Sequence, residues 1–158
     1  MSTPSHPAVD RVVAALAEHD LHPEVVWLDD AVTTAPLAAA ALGVEVGQIA
    51  NSLVFTLDAE PLLVLTSGAH RVDTEWLGAR LGGTIARASK ETVRAATGQV
   101  IGGVAPLGHP APVRTVVDTE LDRYEQVWAA AGHARTVYPT SFAQLVRVTG
   151  GEPSPVAP

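Results

Sequence analysis

Hydrophobic positions along the chain switch repeatedly between the spacing of a helix and the alternation of a strand. Apolar residues recur every three or four positions from 9 to 16, which predicts a first helix. Thr34, Asp73, Ser89 and Thr140 can each cap the N-terminus of a further helix. Short runs of apolar and β-branched residues predict strands at 25–28, 49–57, 62–66, 84–86, 100–104, 113–117 and 134–138.

The order of these elements indicates the fold class. The runs 49–57 and 62–66 are separated by a short polar turn, which predicts a hairpin, whereas residues 124–131 fit either a helix or a strand on local pattern alone. A mixed α/β (α+β) fold is therefore expected, with a mixed sheet and helices packed outside it, rather than a doubly wound fold. We expect one domain over 8–150 and a disordered C-terminal tail over 151–158, where glycine and proline are frequent.

The predicted strand 49–57 carries a polar residue on its more apolar face. With a strand period of two, Ile49, Asn51, Leu53 and Phe55 share one face of the strand. A buried carboxamide without hydrogen-bond partners costs about 1–3 kcal/mol. Asn51 is therefore expected to hydrogen-bond either its own backbone neighbourhood or a ligand.

Composition and charge narrow the class of protein. Apolar residues make up 47% of the 158 positions but aromatic residues only 4%, so the core must consist largely of alanine, valine and leucine. The 17 acidic and 10 basic residues give a net charge of −7, which disfavours a broad surface for DNA or RNA but allows a local site for one nucleotide end. No signal peptide or bilayer-spanning run is visible, so a cytoplasmic protein without a membrane partner is expected.

Residue types that carry chemistry are few. The chain has no cysteine, which excludes disulfides, thiolate catalysis and cysteine-ligated zinc. Its six histidines lack the spacing of a helical zinc motif, so we expect no metal or other cofactor. His70 and His109 lie in or beside predicted loops and could act as proton carriers.

Two segments allow a structural and a functional interpretation. The run G-G-V-A-P-L-G-H-P at 102–110 is not a P-loop, and it fits either a tight connection between strands or a binding loop. Arginines concentrate in residues 71–94 together with Lys90, the only lysine of the chain. This basic cluster either meets a phosphate or forms the solvated faces of helices.

Three segments, taken in order, resemble the YbaK / prolyl-tRNA synthetase-associated editing-domain family. The first is L-G-V-E-V-G-Q-I-A-N-S-L-V-F at 42–55, followed by P-L-L-V-L-T-S-G-A-H-R-V-D at 61–73. The second is A-T-G-Q-V-I-G-G-V-A-P-L-G-H at 96–109, and the third is V-W-A-A-A-G-H-A-R-T-V-Y-P-T-S-F-A-Q-L at 127–145. The resemblance covers most of residues 8–150.

The resemblance implies a curled, barrel-like mixed sheet surrounded by helices, and it implies that residues 124–131 form a strand. It also implies a hydrolase that maintains translation fidelity: a trans-editing deacylase, which cleaves the ester of mischarged aminoacyl-tRNA and releases a small amino acid. The implied partners are the aminoacyl-tRNA 3′ end and an aminoacyl-tRNA synthetase, without DNA. No strong base is required, because the ester is already activated and orientation with oxyanion stabilisation can suffice.

Mapped onto this chain, the resemblance implies a set of site residues. Asn51 and Gly103 are assigned to catalysis. The residues assigned to substrate binding are Thr33, Thr34, Ser52, Ser67, Gly68, Gly102, Pro106 and Thr140.

Asn51 also marks a departure from the family. Editing members characteristically carry a lysine at this position, whereas asparagine supplies two donors and an acceptor without charge. The alternative function is therefore a catalytically weakened member of the same fold, which binds a nucleotide, an aminoacyl-adenosine or a small molecule.

Overall fold

A hairpin of two long strands forms the centre of the fold. Strand β2 (Ile49–Leu57) pairs antiparallel with β3 (Glu60–Ser67) along its whole length. Asp58 and Ala59 join them with φ angles of 48° and 72°, the left-handed conformation that a two-residue hairpin turn requires. The computed structural model describes residues 6–158, and the hairpin predicted from the sequence is confirmed.

The remaining elements alternate around this hairpin. Within residues 6–158 the five α-helices are α1 (Pro7–Ala17), α2 (Ala35–Leu42), α3 (Thr74–Leu81), α4 (Lys90–Thr97) and α5 (Phe142–Thr149). The other strands are β1 (Val26–Trp27), β4 (Ile85–Arg87), β5 (Arg114–Asp118), β6 (Val127–Ala130), β7 (Thr136–Thr140) and β8 (Glu152–Ser154).

The strands form one mixed, open sheet. Its order is β1-β7-β6-β2-β3-β5-β8, and β4 pairs with β2 outside this path. Antiparallel pairing joins β2 to β3 and β4, whereas β2–β6, β3–β5 and β5–β8 are parallel. The predicted mixed α/β architecture, with a curled sheet and helices packed on it, is confirmed.

Helix starts and ends follow the capping residues closely. The side chains of Thr34, Asp73 and Ser89 each accept a hydrogen bond from the backbone N–H three residues further on, as predicted. The last helix differs, because Ser141 rather than Thr140 caps α5. Thr140 instead ends strand β7 and donates its hydroxyl to Gln144 Oε1 at 3.1 Å.

The helices cover the sheet in three apolar clusters. The largest lies beneath α1 and α5 and includes Leu16, Leu65 and Tyr138. A second forms between α3 and the far end of β2, and a third packs the alanines of α2 against Ile49. The two helices α2 and α3 thus cover the two ends of β2 and leave the middle of this strand open.

Two sequence predictions about irregular segments are wrong. Residues 100–104, predicted as a strand, form a turn followed by an extended loop. The C-terminal tail, predicted to be disordered, contains β8 in parallel pairing with β5, and Val156 is fully buried in the cluster beside α3. Local composition, rich in glycine and proline, does not predict this strand, because its pairing partner β5 lies some 35 residues earlier in the chain.

No helix among residues 6–158 combines the length and the hydropathy needed to cross a bilayer.

Candidate functional site

The central strand β2 has a gap in its pairing on one edge. On that edge β6 pairs with Ile49 and Ala50, and β4 pairs with residues 55–57. Both neighbours are short, so in the described part of the chain no strand lies beside residues 51–54 on that edge. An interruption of this kind leaves backbone hydrogen-bonding groups available to another partner.

The alternation of the ladder identifies the groups that face the gap. The carbonyl oxygen of Ile49 accepts a hydrogen bond from Gly68 N–H at 2.8 Å, on the β3 side. In an antiparallel pair, successive residues direct their backbone groups to opposite sides. Ser52 and Val54 therefore direct their N–H and C=O groups into the gap, which places a backbone donor next to the Asn51 side chain.

A cleft of about 340 Å³ opens at this gap, and we call it the Asn51 cleft. Its volume lies at the lower end of the range of about 300–1,000 Å³ that is usual for ligand pockets. The walls come from the start of α2, the middle of β2, strands β6 and β7, and the loop 101–104. Ala35 and Ala38, both buried, belong to the apolar part of the wall, together with larger side chains such as Ile49, Ile101 and Val137.

Three polar side chains in the wall of the Asn51 cleft lack hydrogen-bond partners among residues 6–158. Asn51 is half-buried, and no such residue bonds its carboxamide. Ser52 Oγ and Trp128 Nε1 are fully buried and also lack a partner in that part of the chain. Buried donors without partners cost about 1–3 kcal/mol each, so a ligand that accepts from them would gain affinity.

The glycine-rich loop passes across the gap and is fixed by its close contact with neighbouring backbone. A Cβ added at Gly103 would lie 2.7 Å from the carbonyl carbon of His133 and 2.8 Å from Ala134 N, closer than real Cβ contacts. Gly102 has a φ of 97°, which favours glycine, and an added Cβ would meet the Thr33 side chain at 3.2 Å. Both glycines are therefore required for the position of the loop.

A buried side chain holds the same loop from the other side. Gln99, 2% exposed, accepts a hydrogen bond from Ala105 N–H at 2.6 Å through Oε1. Its Nε2 donates to the carbonyl oxygen of Leu107 at 3.4 Å. The loop 101–104 is thus a tightly fixed connection, and it also forms part of the wall of the Asn51 cleft. A binding role for this loop stays a prediction.

A second cleft, of about 650 Å³, lies on the other side of the loop, and we call it the Arg71–Arg87 cleft. Ser52, Leu53 and Gly102 line both clefts, so the two share a wall. Arg71 and Arg87 are exposed at its margin.

The structure brings six of the ten predicted site residues together in the Asn51 cleft. These are Thr33, Thr34, Asn51, Ser52, Gly68 and Gly102. The Thr34 hydroxyl also caps α2, where it accepts from Leu37 N–H at 3.3 Å. An added Cβ at Gly68 would lie 2.7 Å from the Cβ of Ala35, so this glycine allows β3 to end against α2.

The other four predicted residues do not line this cleft. Ser67 is fully buried, and its hydroxyl donates to the carbonyl oxygen of Gly47 at 2.8 Å. Gly103 lies behind Gly102 against the β6–β7 connection. Pro106 lines a separate cavity, and Thr140 is bonded to Gln144 on α5. The family resemblance implied a common site, but tertiary packing places these four residues outside the lining of this cleft.

Neither candidate proton carrier lines the Asn51 cleft. His109 shares the separate cavity with Pro106 and donates from Nε2 to the carbonyl oxygen of Ala105 at 2.9 Å. Burial lowers the pKa of His109, and this hydrogen bond opposes the shift. His70 donates from Nδ1 to the buried carboxylate of Asp118 at 3.1 Å. No group of three or more histidine, aspartate or glutamate side chains within residues 6–158 is arranged to hold a metal ion.

Sequence reasoning missed Gln99, Trp128 and the pair of arginines as parts of the site. A glutamine just before a glycine-rich loop gives no local signal of its tertiary partners. Trp128 lay in a segment whose secondary structure was undecided, and it lines the cleft because β6 pairs with Ile49. The arginines were visible as a basic cluster, but only the fold selects Arg71 and Arg87 from it.

Comparisons with known proteins assign the chain to a family. Residues 29–148 match the family model of the aminoacyl-tRNA editing domain. The solved structure of a candidate trans-editing enzyme for prolyl tRNA synthetase superposes with a TM-score of 0.90 at 38% identity, covering 97% of this chain and 98% of that one. The chain belongs to the aminoacyl-tRNA editing domain family.

Two protein sequences extend the relationship. A proline–tRNA ligase of Nitratidesulfovibrio vulgaris (strain DP4) is 30% identical over 129 residues, which are 74% of this chain and 22% of the ligase. The uncharacterised protein YwhH of Bacillus subtilis (strain 168) is 28% identical over 110 residues, which are 69% of this chain and 70% of that protein. The resemblance inferred from the motifs is therefore confirmed, and it relates the chain to aminoacyl-tRNA editing.

Proposed function

We propose that this protein is an aminoacyl-tRNA deacylase that hydrolyses the ester of tRNA mischarged with a small amino acid. The observation that carries the proposal is the unpartnered Asn51 carboxamide in the wall of a narrow cleft, next to the open backbone edge of β2. The family of the domain supplies the substrate class, aminoacyl-tRNA. We propose a cytoplasmic location because charged tRNA is used there.

The proposed reaction needs orientation and oxyanion stabilisation rather than a strong base. Water attacks the ester carbonyl carbon, and a tetrahedral oxyanion forms. Asn51 Nδ2 and the backbone N–H of Ser52 are the donors closest to the open edge, and Trp128 Nε1 is a third in the same wall. Collapse of the intermediate breaks the bond to the ribose oxygen. This oxygen takes up the proton that the attacking water gives up and leaves as a hydroxyl, and the amino acid is released. Fixed donors aimed at a developing oxyanion contribute strongly to such reactions.

Selectivity for a small amino acid follows from the size of the cleft. Its wall is largely apolar and includes Ala35 and Ala38 of the tightly packed helix α2, and Gly68 lies in the wall where β3 ends. One methylene group changes binding in a hydrophobic pocket by only about 1–3 kcal/mol, so exclusion by contact with a fixed wall is the more effective discriminator. A larger side chain would have to displace α2, which packs against Ile49.

The proposed partner that charges the tRNA is a prolyl-tRNA synthetase. The matched ligase of Nitratidesulfovibrio vulgaris and the solved candidate trans-editing enzyme both support this choice. By comparison with that enzyme, we propose that editing takes place on tRNA released by the synthetase, that is, in trans.

The test is release of amino acid from a panel of tRNAs charged with alanine, serine, threonine, cysteine or proline. We expect hydrolysis of at least one small amino acid by the native chain. Asn51→Ala should lower kcat by about 100-fold, the loss that removal of one oxyanion donor causes. Thr56→Ala on the same strand is the control, since Thr56 lies outside both clefts. Absence of hydrolysis across the panel by folded protein would refute the proposal.

The uncharged residue at position 51 favours a second candidate function, a binding module with weakened catalysis. In that case the native chain binds a non-hydrolysable aminoacyl-adenosine without measurable turnover, and Asn51→Lys raises hydrolysis above the native rate. Efficient hydrolysis by the native chain would eliminate this candidate.

A further inference from the structure

The Arg71–Arg87 cleft continues from the Asn51 cleft and differs from it in charge. Ser52, Leu53 and Gly102 belong to the walls of both, so a ligand can extend from one into the other past the loop 101–104. Among residues 6–158 no charged side chain lines the Asn51 cleft, whereas the guanidinium groups of Arg71 and Arg87 lie at the margin of the second cleft. The pair of clefts therefore suits a ligand with a neutral end and an anionic end.

The two arginines have no acidic partner within the described chain. The ion pairs among residues 6–158 involve His70, Arg114 and Arg123. No side-chain hydrogen bond of Arg71 or Arg87 occurs in that range either. In a chain with a net charge of −7, two unpaired guanidinium groups at one cleft form a local site for an anion.

The register of the strands gives the spacing between the groups that would bind the neutral end and the anionic end of such a ligand. Arg87 lies directly opposite Phe55 in the β2–β4 ladder, so its side chain leaves the sheet on the same face as Phe55, Leu53 and Asn51. Asn51 and Phe55 are four residues apart, or about 13 Å along a strand that rises about 3.3 Å per residue. An arginine side chain reaches back over part of this distance, so the guanidinium can approach a group one nucleoside away from the Asn51 carboxamide.

The chemistry of the second cleft fits a phosphodiester with its nucleoside. A guanidinium group binds phosphate oxygens through paired N–H donors. The side chains of Phe55, Val72 and Ile85 provide an apolar and aromatic wall for a base, and the Thr74 hydroxyl is a further polar group. A nucleotide would match these groups better than a second amino acid would.

We propose that Arg71 and Arg87 bind the phosphodiester on the 5′ side of the terminal adenosine when an aminoacyl 3′ end occupies the Asn51 cleft. The inference rests on the proposed function for the identity of the neutral end. Position 51 carries no positive charge in this chain. In this inference Arg71 and Arg87 supply positive charge instead, to a part of the ligand that lies one nucleoside further away.

The test measures how much a phosphodiester adds to the affinity of a non-hydrolysable ligand. The probes are 3′-alanylamino-3′-deoxyadenosine and the same compound extended at its 5′ position by a phosphodiester-linked cytidine, titrated calorimetrically. The proteins are the native chain, the Arg71→Gln/Arg87→Gln double variant and Arg11→Gln. Arg11 is an exposed arginine of α1 outside both clefts and serves as the control.

For the native chain we expect the extended probe to bind about 5- to 10-fold more tightly than the nucleoside probe, the gain usual for exposed charge-assisted contacts. This advantage should disappear in the double variant and persist in Arg11→Gln, while the nucleoside probe binds all three proteins equally. Three outcomes would overturn the inference. The native chain binds the two probes equally, the advantage of the extended probe survives in the double variant, or neither probe binds.

The outcome is separable from that of the proposed function. Phosphodiester-dependent binding without hydrolysis of any charged tRNA would refute the deacylase and leave the arginine site intact. Hydrolysis by the native chain together with an unchanged KM in the double variant would support the deacylase and overturn the arginine site. Because both arginines are exposed and unpaired within residues 6–158, glutamine at these positions should leave folding unaffected, which circular dichroism checks.

Discussion

Gln99 Oε1 accepts the backbone N–H of Ala105 at 2.6 Å, and this bond spans the loop that separates the two clefts. Both partners are buried, with Gln99 2% and Ala105 0% exposed. The Nε2 group of the same side chain donates to Leu107 O at 3.4 Å. One side chain thus replaces the hydrogen bonds that a neighbouring strand would provide to residues 105–107 and sets the position of Gly102 over β2.

Replacement of Gln99 should affect both stability and the site. Gln99→Ala leaves the buried N–H of Ala105 without a partner, so we expect the free energy of unfolding to fall by about 2–3 kcal/mol. Urea denaturation measures this loss, and the exposed Gln126→Ala is the matched control. Since the loop forms a wall of both clefts, KM for aminoacyl-tRNA should also rise. A stable variant with native KM would contradict the role of this bond.

Gly103 should tolerate no side chain. Gly103→Ala places a methyl group 2.7 Å from His133 C, and the loop must shift to relieve the overlap. We expect a loss of about 1–3 kcal/mol in stability, as is usual for overpacking. Deacylation should fall with it, because Gly102 moves away from Thr33. Loss of activity with native stability would instead indicate that Gly103 contacts the substrate, as the family resemblance implied.

Asp118 holds the end of β3 where it meets the Asn51 cleft. Its fully buried carboxylate accepts from Ser67 N–H at 2.9 Å, Thr66 Oγ1 at 3.2 Å and His70 Nδ1 at 3.1 Å. Asp118→Asn places an amide donor among these donors, so we expect a loss of about 2–4 kcal/mol in unfolding free energy.

The outcome at Asp118 can be separated from a catalytic role. His70→Asn removes the imidazole donor from the Asp118 carboxylate and keeps a polar side chain at position 70. We therefore expect a smaller loss of stability than for Asp118→Asn and an unchanged kcat. A kcat that falls in His70→Asn while stability stays native would contradict a structural role for this pair.

Tyr138 carries a hydroxyl that the core does not use. The side chain is 1% exposed, and its OH has no hydrogen-bond partner among residues 6–158, while burial raises the pKa of the hydroxyl. Tyr138→Phe removes an unsatisfied polar atom, so we expect the unfolding free energy to rise by about 1 kcal/mol. Chemical denaturation measures the change. A decrease of similar size would show that the hydroxyl is bonded in solution.

Stability should depend on pH through His109. Burial lowers the pKa of this histidine below its ordinary value. The histidine of the unfolded chain therefore binds a proton more readily than that of the folded chain. The contribution of His109 to the unfolding free energy is complete above the pKa of the unfolded state, and it is lost as pH falls through the lower pKa of the folded state. We expect His109→Gln to flatten the decrease in unfolding free energy between pH 7.5 and pH 5. His22→Gln, at an exposed position, is the control; an unchanged pH dependence in His109→Gln would contradict the prediction.

Local chemistry in the sequence determines most of the secondary structure. Capping by Thr34, Asp73 and Ser89 acts within one turn of the residue itself, and Gly43 and Gly98 end their helices in the left-handed conformation. The two-residue turn of the central hairpin is also local. For these elements, period and composition suffice because the interactions that form them connect residues close together in the chain.

Pairing between distant segments decides what local pattern leaves open. Residues 127–130 become a strand because β2 and β7 lie on either side, and the glycine- and proline-rich end of the chain is ordered because the edge of β5 accepts it. The predicted strand over 100–104 is instead a loop, and Gln99 supplies hydrogen bonds to the backbone of Ala105 and Leu107 that follow it.

The same division applies to the site. The sequence by itself identified Asn51 as an unusual polar residue on an apolar strand and the glycines 102 and 103 as a special loop. Only the tertiary structure selected Trp128, Arg71 and Arg87, and separated Ser67, Pro106 and Thr140 from the cleft. The physical reason is the gap in the pairing of β2, because its position depends on where two short strands, β4 and β6, end.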